Sequence, residues 1–480
     1  MKSMRAVLVV FGASAMVLVI EIIAGRLMAP YVGISLETFT GIIGTVLAGI
    51  ALGAAVGGAL ADKYDPRPLI GPALVLGGIL TWLSLPIVTA LGPEVGAGPV
   101  AIVTLTGTAF FLPVAVLSSV SPMVAKVRLH DLDETGWVVG GLSAAGTAGA
   151  LAGTFITGFV LVAALPSKPI VIVVGAAAVV AGLGVSWWMR KKPTAAASAL
   201  LIVFAAIGIA AIGGTEVPCQ RETAYYCVRV ERDATRPTVR NLYLDRLRHA
   251  SIDLADPTYL DVRYVRLFAD VAAALPPGPL DVLHIGGGGF SFPRYLHAVR
   301  PGTANRVLEI DEELVEIAED ELGLEQGPDL VVDVGDARLA LPDLPSDSFD
   351  LVVGDAFAGE QVPWHLTTAE VVEEIDRVLR PGGIYVMNVI DGGASRFARA
   401  ELATLAERFP HVAAILPSTG IPELYPVNQV LLASSRPLPR IRVEPADGEL
   451  VTGREIRSYI GGARKLTDDH APVDQLVLGV

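Results

Sequence analysis

Cysteine is almost absent from this chain of 480 residues: only Cys219 and Cys227 occur. Two thiols cannot build a cysteine-rich metal cluster, so that class of chemistry is excluded. Positive charge is also scarce. Against 36 lysines and arginines stand 50 aspartates and glutamates, a net charge of −14. A nucleic-acid binder would want a basic stripe, so nucleic acid is not an expected partner. No glycine loop ending in Lys-Ser or Lys-Thr is present, which argues against phosphate-driven ATPase chemistry. No HExxH occurs and the seven histidines are scattered, so no metal site is expected.

What the chain has in excess is apolar surface. Hydrophobic residues make up 52%, with a mean hydropathy of +0.55, yet 18% of residues are charged. The two figures reconcile because the charge is concentrated in one half. Up to about residue 215 the chain is a series of apolar stretches; beyond it the sequence reads as a soluble α/β domain. Seven stretches, near 6–24, 38–60, 68–91, 100–124, 137–165, 170–188 and 196–214, are long enough to cross hydrocarbon, which takes roughly 20 residues each. The first carries Glu21 and Arg26 where a small-residue cleavage site would sit, and more spans follow it, so it reads as an anchor.

Basic residues in the short loops set the expected orientation. Lys2, Arg5, Lys63, Arg67, Lys126, Arg128, Arg190, Lys191 and Lys192 fall on one side, and only Arg26 and Lys168 on the other. That bias predicts a multi-pass protein of the cell membrane, with the lipid bilayer as partner. The N-terminus is then cytoplasmic and, with seven spans, the C-terminal domain extracytoplasmic. Cys219 and Cys227 follow the last span; they form a disulfide clip if that side is oxidising and remain two separate thiols if it is not. Runs such as GTVLAGIALGAAVGGALAD, residues 44–62, predict tightly packed helices rather than a moving transporter bundle. Glu21 and Arg26 either pair with each other to seal the bundle or line a polar cavity.

In the second half, 222–248 reads as antiparallel strands and 259–275 as a helix. Alternating strands and helices follow from DVLHIGGGG at 281–289 to GGIYVMNVI ending at 390, with two further strands near 411–417 and 427–434. Such alternation predicts a mostly parallel sheet covered by helices, with its ligand at the carboxyl ends of the strands. Gly286, Gly287, Gly288 and Gly289 permit close backbone approach after the first strand. Glu309, with Asp311 two residues on, ends the second strand, where a carboxylate can accept both ribose hydroxyls. Asp336 in GDAR lies where an adenine amino group can be read, and Asp355 ends the fourth strand facing the reaction zone. His365, in QVPWHLTTAE, either joins the site beside Asp355 or anchors its loop. Asp468 and Asp469 in the tail are expected to cap a turn rather than line the mouth of the site.

Residues 222–392 resemble the spermidine synthase family, the polyamine aminopropyltransferases, and the whole chain resembles its membrane-fused members. The stretches that carry the resemblance are EIIAGRLMAPYVG, IGGGGFSFPRYL, VLEIDEELVEIA, GDARLAL, DAFAGEQVPWHLTTAE and LRPGGIYVMNV. It implies an N-terminal all-α transmembrane bundle (1–215), a small β-cap (216–255) and an α/β Rossmann-like methyltransferase or spermidine synthase fold (256–480), often homodimeric. The implied activity is transfer from decarboxylated S-adenosylmethionine, or a related adenosyl donor, to a small amine. The resemblance carries Glu309 onto the ribose-binding carboxylate, Asp336 and Ala337 onto the adenine-reading position, and Asp355 onto the proton acceptor. Tyr264 matches a substrate-side tyrosine. The sequence also departs from the pattern. Asp355-Ala356-Phe357-Ala358-Gly359 lacks the second amine-binding carboxylate, Arg266 stands where an acid is expected, and Glu360 is a candidate substitute. The expected function is therefore a membrane-bound aminopropyltransferase-like enzyme with an altered acceptor. The alternative is a non-catalytic or transport-coupled binder of nucleosides or polyamines.

Overall fold

The fold is that of a computed structural model, describing residues 3–33, 35–96, 98–129, 135–189, 213, 218–356, 362–418 and 427–478. The chain divides into two compact units, Met1–Cys227 and Val228–Val480. The clip containing both cysteines thus belongs with the helical unit, twelve residues beyond the boundary expected at 215.

Among its described residues, the first unit contains six helices long and apolar enough to cross a membrane: α1 (Ser3–Val32), α2 (Leu36–Lys63), α3 (Arg67–Leu91), α4 (Pro99–Arg128), α5 (Thr135–Ala164) and α6 (Ser167–Trp188). The seventh expected span, 196–214, lies almost wholly outside the described residues. Glycines at four-residue spacing explain which helices pair. A Cβ added at Gly53 or Gly57 of α2 would collide with the backbone of α4 at Ala115 or Ser119. Added at Gly149 or Gly153 of α5, it would strike the backbone of α1 at Phe11 or Ala15. Without these hydrogen-only faces the backbones could not approach, and dispersion contacts between the helices would be lost. The opposite faces carry exposed Leu47, Leu52, Val56, Phe159 and Val160, a surface suited to hydrocarbon.

One charged knot holds this unit's ends together. Arg26 pairs with Glu222 at 3.0 Å and donates to the Thr223 carbonyl at 2.5 Å. The Glu222 carboxylate also accepts the Ser167 backbone N–H at 2.8 Å and the Ser167 hydroxyl, closing the start of α6. Arg26 therefore finds its partner 196 residues away rather than in Glu21, five residues back. Long-range packing brings a better-placed carboxylate to the guanidinium than its own helix does. Beside the knot, Cys219 and Cys227 are joined in a disulfide, with Cα atoms 5.0 Å apart.

The second unit opens with an antiparallel meander of β2 (Cys227–Arg232), β3 (Val239–Leu244) and β4 (Leu247–Asp253); the two-residue strand β1 (Arg221–Glu222) precedes it in the chain. Asp245, at φ +53°, makes the tight turn between β3 and β4. Helix α7 (Arg263–Ala274) leads into an eight-stranded sheet. In chain order its elements are β5 (Asp281–Ile285), α8 (Ser291–Val299), β6 (Ala304–Glu309), α9 (Glu312–Glu321), β7 (Leu330–Val334), α10 (Ala337–Ala340), β8 (Phe349–Gly354), α11 (Ala369–Val378), β9 (Leu379–Asp391), α12 (Arg396–Arg408), β10 (His411–Leu416), β11 (Val427–Ser434), β12 (Glu449–Val451), α13 (Gly453–Ile460) and α14 (Val473–Leu478). The spatial order is β12-β10-β11-β9-β8-β5-β6-β7.

Strands β5 to β9 are parallel, and β11 inserts antiparallel between β9 and β10. Both faces are buried, so the central strands are apolar throughout rather than alternating. Leu351 and Val353 of β8 pack with α7 and α8, while Val352 between them packs with α11 and α12. The chain leaves β5 toward β6 on one side and returns to β8 on the other. That reversal opens a crevice above the carboxyl ends of β5 and β8.

Candidate active site

Two strand ends meet tightly at this reversal. Gly286 has φ +95°, and a Cβ there would lie 2.5 Å from the Asp355 carbonyl oxygen. Any side chain would push β5 and β8 apart. Gly289 lies equally close beneath the meander, 2.5 Å from the Ala250 Cβ if it carried one of its own. Glu309, at the end of β6, locks this glycine loop from the far side. Its Oε2 accepts the Gly287 N–H at 2.8 Å and the Gly288 N–H at 3.3 Å; its Oε1 accepts the Asp311 N–H at 3.0 Å. Each carboxylate oxygen has more than one acceptor direction, so capacity remains for a ligand hydroxyl.

Asp311, next along the chain, serves as a helix cap. It is 1% exposed, and its side chain caps α9 by accepting the Leu314 N–H at 3.3 Å. Asp336 caps the short α10 through the Arg338 N–H at 2.8 Å but stays one-third exposed. Ala337 is buried beside it in the core. His365 stands 3.6 Å from Asp336, not beside Asp355 as one reading proposed. Arg338 and Thr368 both bond Asp468, each at 2.7 Å, so the C-terminal tail is tied next to this strand end. Asp468 thus crosslinks two segments rather than capping a turn.

Asp355 lines a cavity of about 290 Å³. Its Oδ2 accepts the Tyr264 hydroxyl at 2.9 Å, and its Oδ1 accepts the Asn388 amide at 3.0 Å. Asn428 in turn donates to the Asn388 oxygen at 2.9 Å, fixing its orientation. Burial raises the Asp355 carboxyl to about 7, against the two hydrogen bonds, which favour the ionised form. Burial beside this carboxylate also pushes the Tyr264 hydroxyl well above its ordinary value. Tyr264 is therefore a neutral donor aimed at a carboxylate that titrates near neutrality.

The cavity is walled by Gly286–Gly289, Tyr264, Phe268 and Asn388 and, from the meander, by Arg246–Ala250. It lies over β5, β8, β9 and β11. Glu309 and Asp336, on β6 and beyond β7, do not line it. The carboxyl edge of the sheet is thus split at the glycine loop, with one carboxylate pair on the β6–β7 side and the cavity with Asp355 on the other.

Arg266, which stands where the family pattern has an acid, does not line the cavity. Asp447 holds it at 2.5 and 3.0 Å. Glu360 lies outside the described residues. The sequence reading missed Asn388, Asn428 and His284. Asn388 and His284 are lone polar residues inside apolar strands, a signal that was visible. His284 is 2% exposed, bonds Asn305 at 3.0 Å, and has its pKa lowered by burial to about 4.

Strand order, glycine loop and strand-end carboxylates define a Rossmann-like domain of the methyltransferase class, and residues 283–387 match a family model described as a methyltransferase domain. A stretch of 114 residues is 34% identical to the polyamine aminopropyltransferase of Vibrio vulnificus, covering 23% of this chain and 38% of that one. Another of 151 residues is 28% identical to the polyamine aminopropyltransferase of Chromobacterium violaceum, covering 31% and 58%. The chain thus spans less than two thirds of either relative. The crystal structure of a probable spermidine synthase from Corynebacterium glutamicum is 27% identical, covering 52% of this chain and 95% of that one, with a TM-score of 0.49. The second unit is thus similar over part of its length to polyamine aminopropyltransferases.

Proposed function

We propose that this protein is a membrane-anchored transferase that moves an aminopropyl group from an S-adenosyl-type donor to a small nucleophile. The observation that carries the reading is Asp355: a carboxylate at the strand reversal, held by Tyr264 and Asn388, open to a cavity, and titrating near 7. A general base works best when its pKa lies near the working pH. The donor supplies a sulfonium, whose neighbouring carbon is open to attack.

Glu309 fits the ribose of such a donor, with Asp336 near its base, on the β6–β7 side. Tyr264 and Asn388 hold Asp355 toward the acceptor side. Asp355 takes a proton from the acceptor amine. The freed lone pair forms the new N–C bond while the C–S bond breaks and its electrons stay on sulfur as a neutral thioether. Charge and protons balance, and no further reactant is needed.

The basic-loop bias and the disulfide support an extracytoplasmic second domain, and the resemblance supports a homodimer. The same placement favours a second reading, a binder that keeps the pocket without turnover, because adenosyl donors are made in the cytoplasm. Calorimetric titration of the detergent-solubilised chain with decarboxylated S-adenosylmethionine and with methylthioadenosine tests the first reading; no heat at millimolar ligand would sink it. A reporter fused after Val480 tests the side, and activity of a cytoplasm-only reporter would reverse the orientation.

A further inference from the structure

Asp355 is held by two donors that come from different parts of the chain. The Tyr264 hydroxyl reaches Oδ2 from the first turn of α7. The Asn388 amide reaches Oδ1 from β9, itself oriented by Asn428 on β11. Nothing local to either donor fixes its place relative to the other. Arg263 and Arg266, which flank Tyr264 on α7, supply that link. Arg263 donates through Nη1 to the Asn428 carbonyl at 2.8 Å and through Nε to the Asp447 carbonyl. Arg266, one turn on, grips the Asp447 carboxylate with two nitrogens and donates through Nη1 to the Asp261 carbonyl at 2.5 Å. The loop bearing Asp447 comes this close because Gly448 has no side chain; a Cβ there would lie 2.9 Å from Arg263 Nη2. That Nη2 is buried without a partner among the described residues. An unsatisfied buried donor costs stability, which points to a role for Arg263 beyond holding the fold together.

From this chain of bonds we infer that Arg263, Arg266 and Asp447 are positioning residues of the proposed transferase: together they set α7 against β11 so that Tyr264 and Asn388 bond the same carboxylate. The inference rests on the transferase reading above and adds the residues that keep its base in place. None of the three lines the cavity, and none is among the groups that shift the Asp355 carboxyl, so they act on Asp355 through its two donors. The lever is short. A side-chain tip lies roughly 6 Å from a helix axis, so a rotation of α7 by about 10° moves it about 1 Å. That is enough to break the 2.9 Å bond from Tyr264.

The test reads the titration of Asp355 and needs no substrate. The full-length protein in detergent is melted between about pH 4 and pH 9, with and without Asp355→Asn. The difference between the two stops growing once Asp355 is ionised in the folded chain, above about pH 7. In Asp447→Ala that levelling is expected about 0.5–1 pH unit higher, because a displaced donor no longer favours the ionised form. Asp270, which Asp447 also perturbs, titrates in both members of each pair and cancels. Asp447→Glu, which keeps a carboxylate for Arg266, is expected to keep the original levelling. Turnover of decarboxylated S-adenosylmethionine with 1,4-diaminobutane as probe amine is expected to fall at least about tenfold in Asp447→Ala. A lower melting temperature with the levelling unmoved makes the clamp merely structural and overturns the inference, while turnover by the unaltered protein would leave the transferase reading standing. Should Asp447→Ala not melt cooperatively, Arg263→Lys, which keeps the charge and loses the fork, is judged by the same shift. A shifted levelling in a protein whose unaltered form shows no turnover leaves the clamp on Asp355 standing and removes the transferase reading.

Discussion

Replacing Asp355 by asparagine should strengthen the fold while removing the chemistry. Burial raises this carboxyl from 3.8 to about 7. One pKa unit corresponds to about 1.36 kcal/mol, so a shift of roughly three units caps the cost of the ionised form at about 4 kcal/mol. The cavity gives water access on one side, and screening reduces the figure to about 2 kcal/mol. The sign follows from which state holds the proton. Below pH 4 both folded and unfolded chains are protonated and the residue costs nothing. Between pH 4 and 7 the unfolded chain ionises first, so stability falls as pH rises, and the full cost is reached above 7. Asparagine never ionises. Its oxygen still accepts from Asn388, and its amide can donate to the Tyr264 oxygen. Asp355→Asn should therefore leave the melting temperature nearly unchanged at pH 4. At pH 8.5 it should raise that of the second unit by about 4–8 °C, at roughly 2–4 °C per kcal/mol for a unit of this size. Turnover with any accepted substrate pair should fall at least about 100-fold with modest loss of donor affinity. The assay is near-ultraviolet circular dichroism of the full chain in detergent, melted at both pH values. A gain equal at both, or a loss at pH 8.5, refutes the account of Asp355 as a buried, reluctantly ionised base.

Three other outcomes follow from the same geometry. Tyr264→Phe removes a donor to the ionised carboxylate, so the Asp355 pKa rises and the acidic limb of the pH–rate profile moves to higher pH by about 0.5–1 unit; an unmoved limb would contradict the 2.9 Å bond. Gly149→Leu forces α5 off the α1 backbone at Phe11 and should lower the melting temperature of the helical unit by several degrees, whereas Gly140→Leu, where a Cβ meets nothing within 4 Å, should not. Opening the Cys219–Cys227 loop with a reductant should remove about 2–3 kcal/mol by the loop-entropy relation and expose two thiols to maleimide, counted by mass spectrometry. Labelling without reductant would show the pair to be unbridged.

Much of the second unit could be read from residue patterns. The strand predicted at 281–289 is β5 followed by its glycine loop, and the strands expected near 411–417 and 427–434 are β10 and β11. These segments announce themselves because a strand buried on both faces must be continuously apolar, and a strand-to-helix turn must bend at glycine. The short β12 and the helix α13 escaped notice, since three residues at a sheet edge bury too little to leave a pattern. At the site, Gly286 and Asp355 could be placed because each ends a legible strand. Asn388 and Asn428 were passed over because their role depends on β11 lying next to β9, a pairing across 40 residues that local pattern does not encode.

Composition and periodicity alone therefore determine the two-part character of this protein. They also place the apolar spans, the parallel sheet and the glycine turn where a ligand belongs. These properties are local or additive: each depends on what a short window of residues can bury or bend. Which charges meet is a different matter, decided only when the chain has packed. Arg26 bonds Glu222 rather than Glu21, Arg266 is neutralised by Asp447, Asp311 is consumed as a helix cap, and Arg246 lines the same cavity as Asp355. Coulomb and hydrogen-bond energies depend on distance and solvent exclusion, and both are set by the tertiary structure.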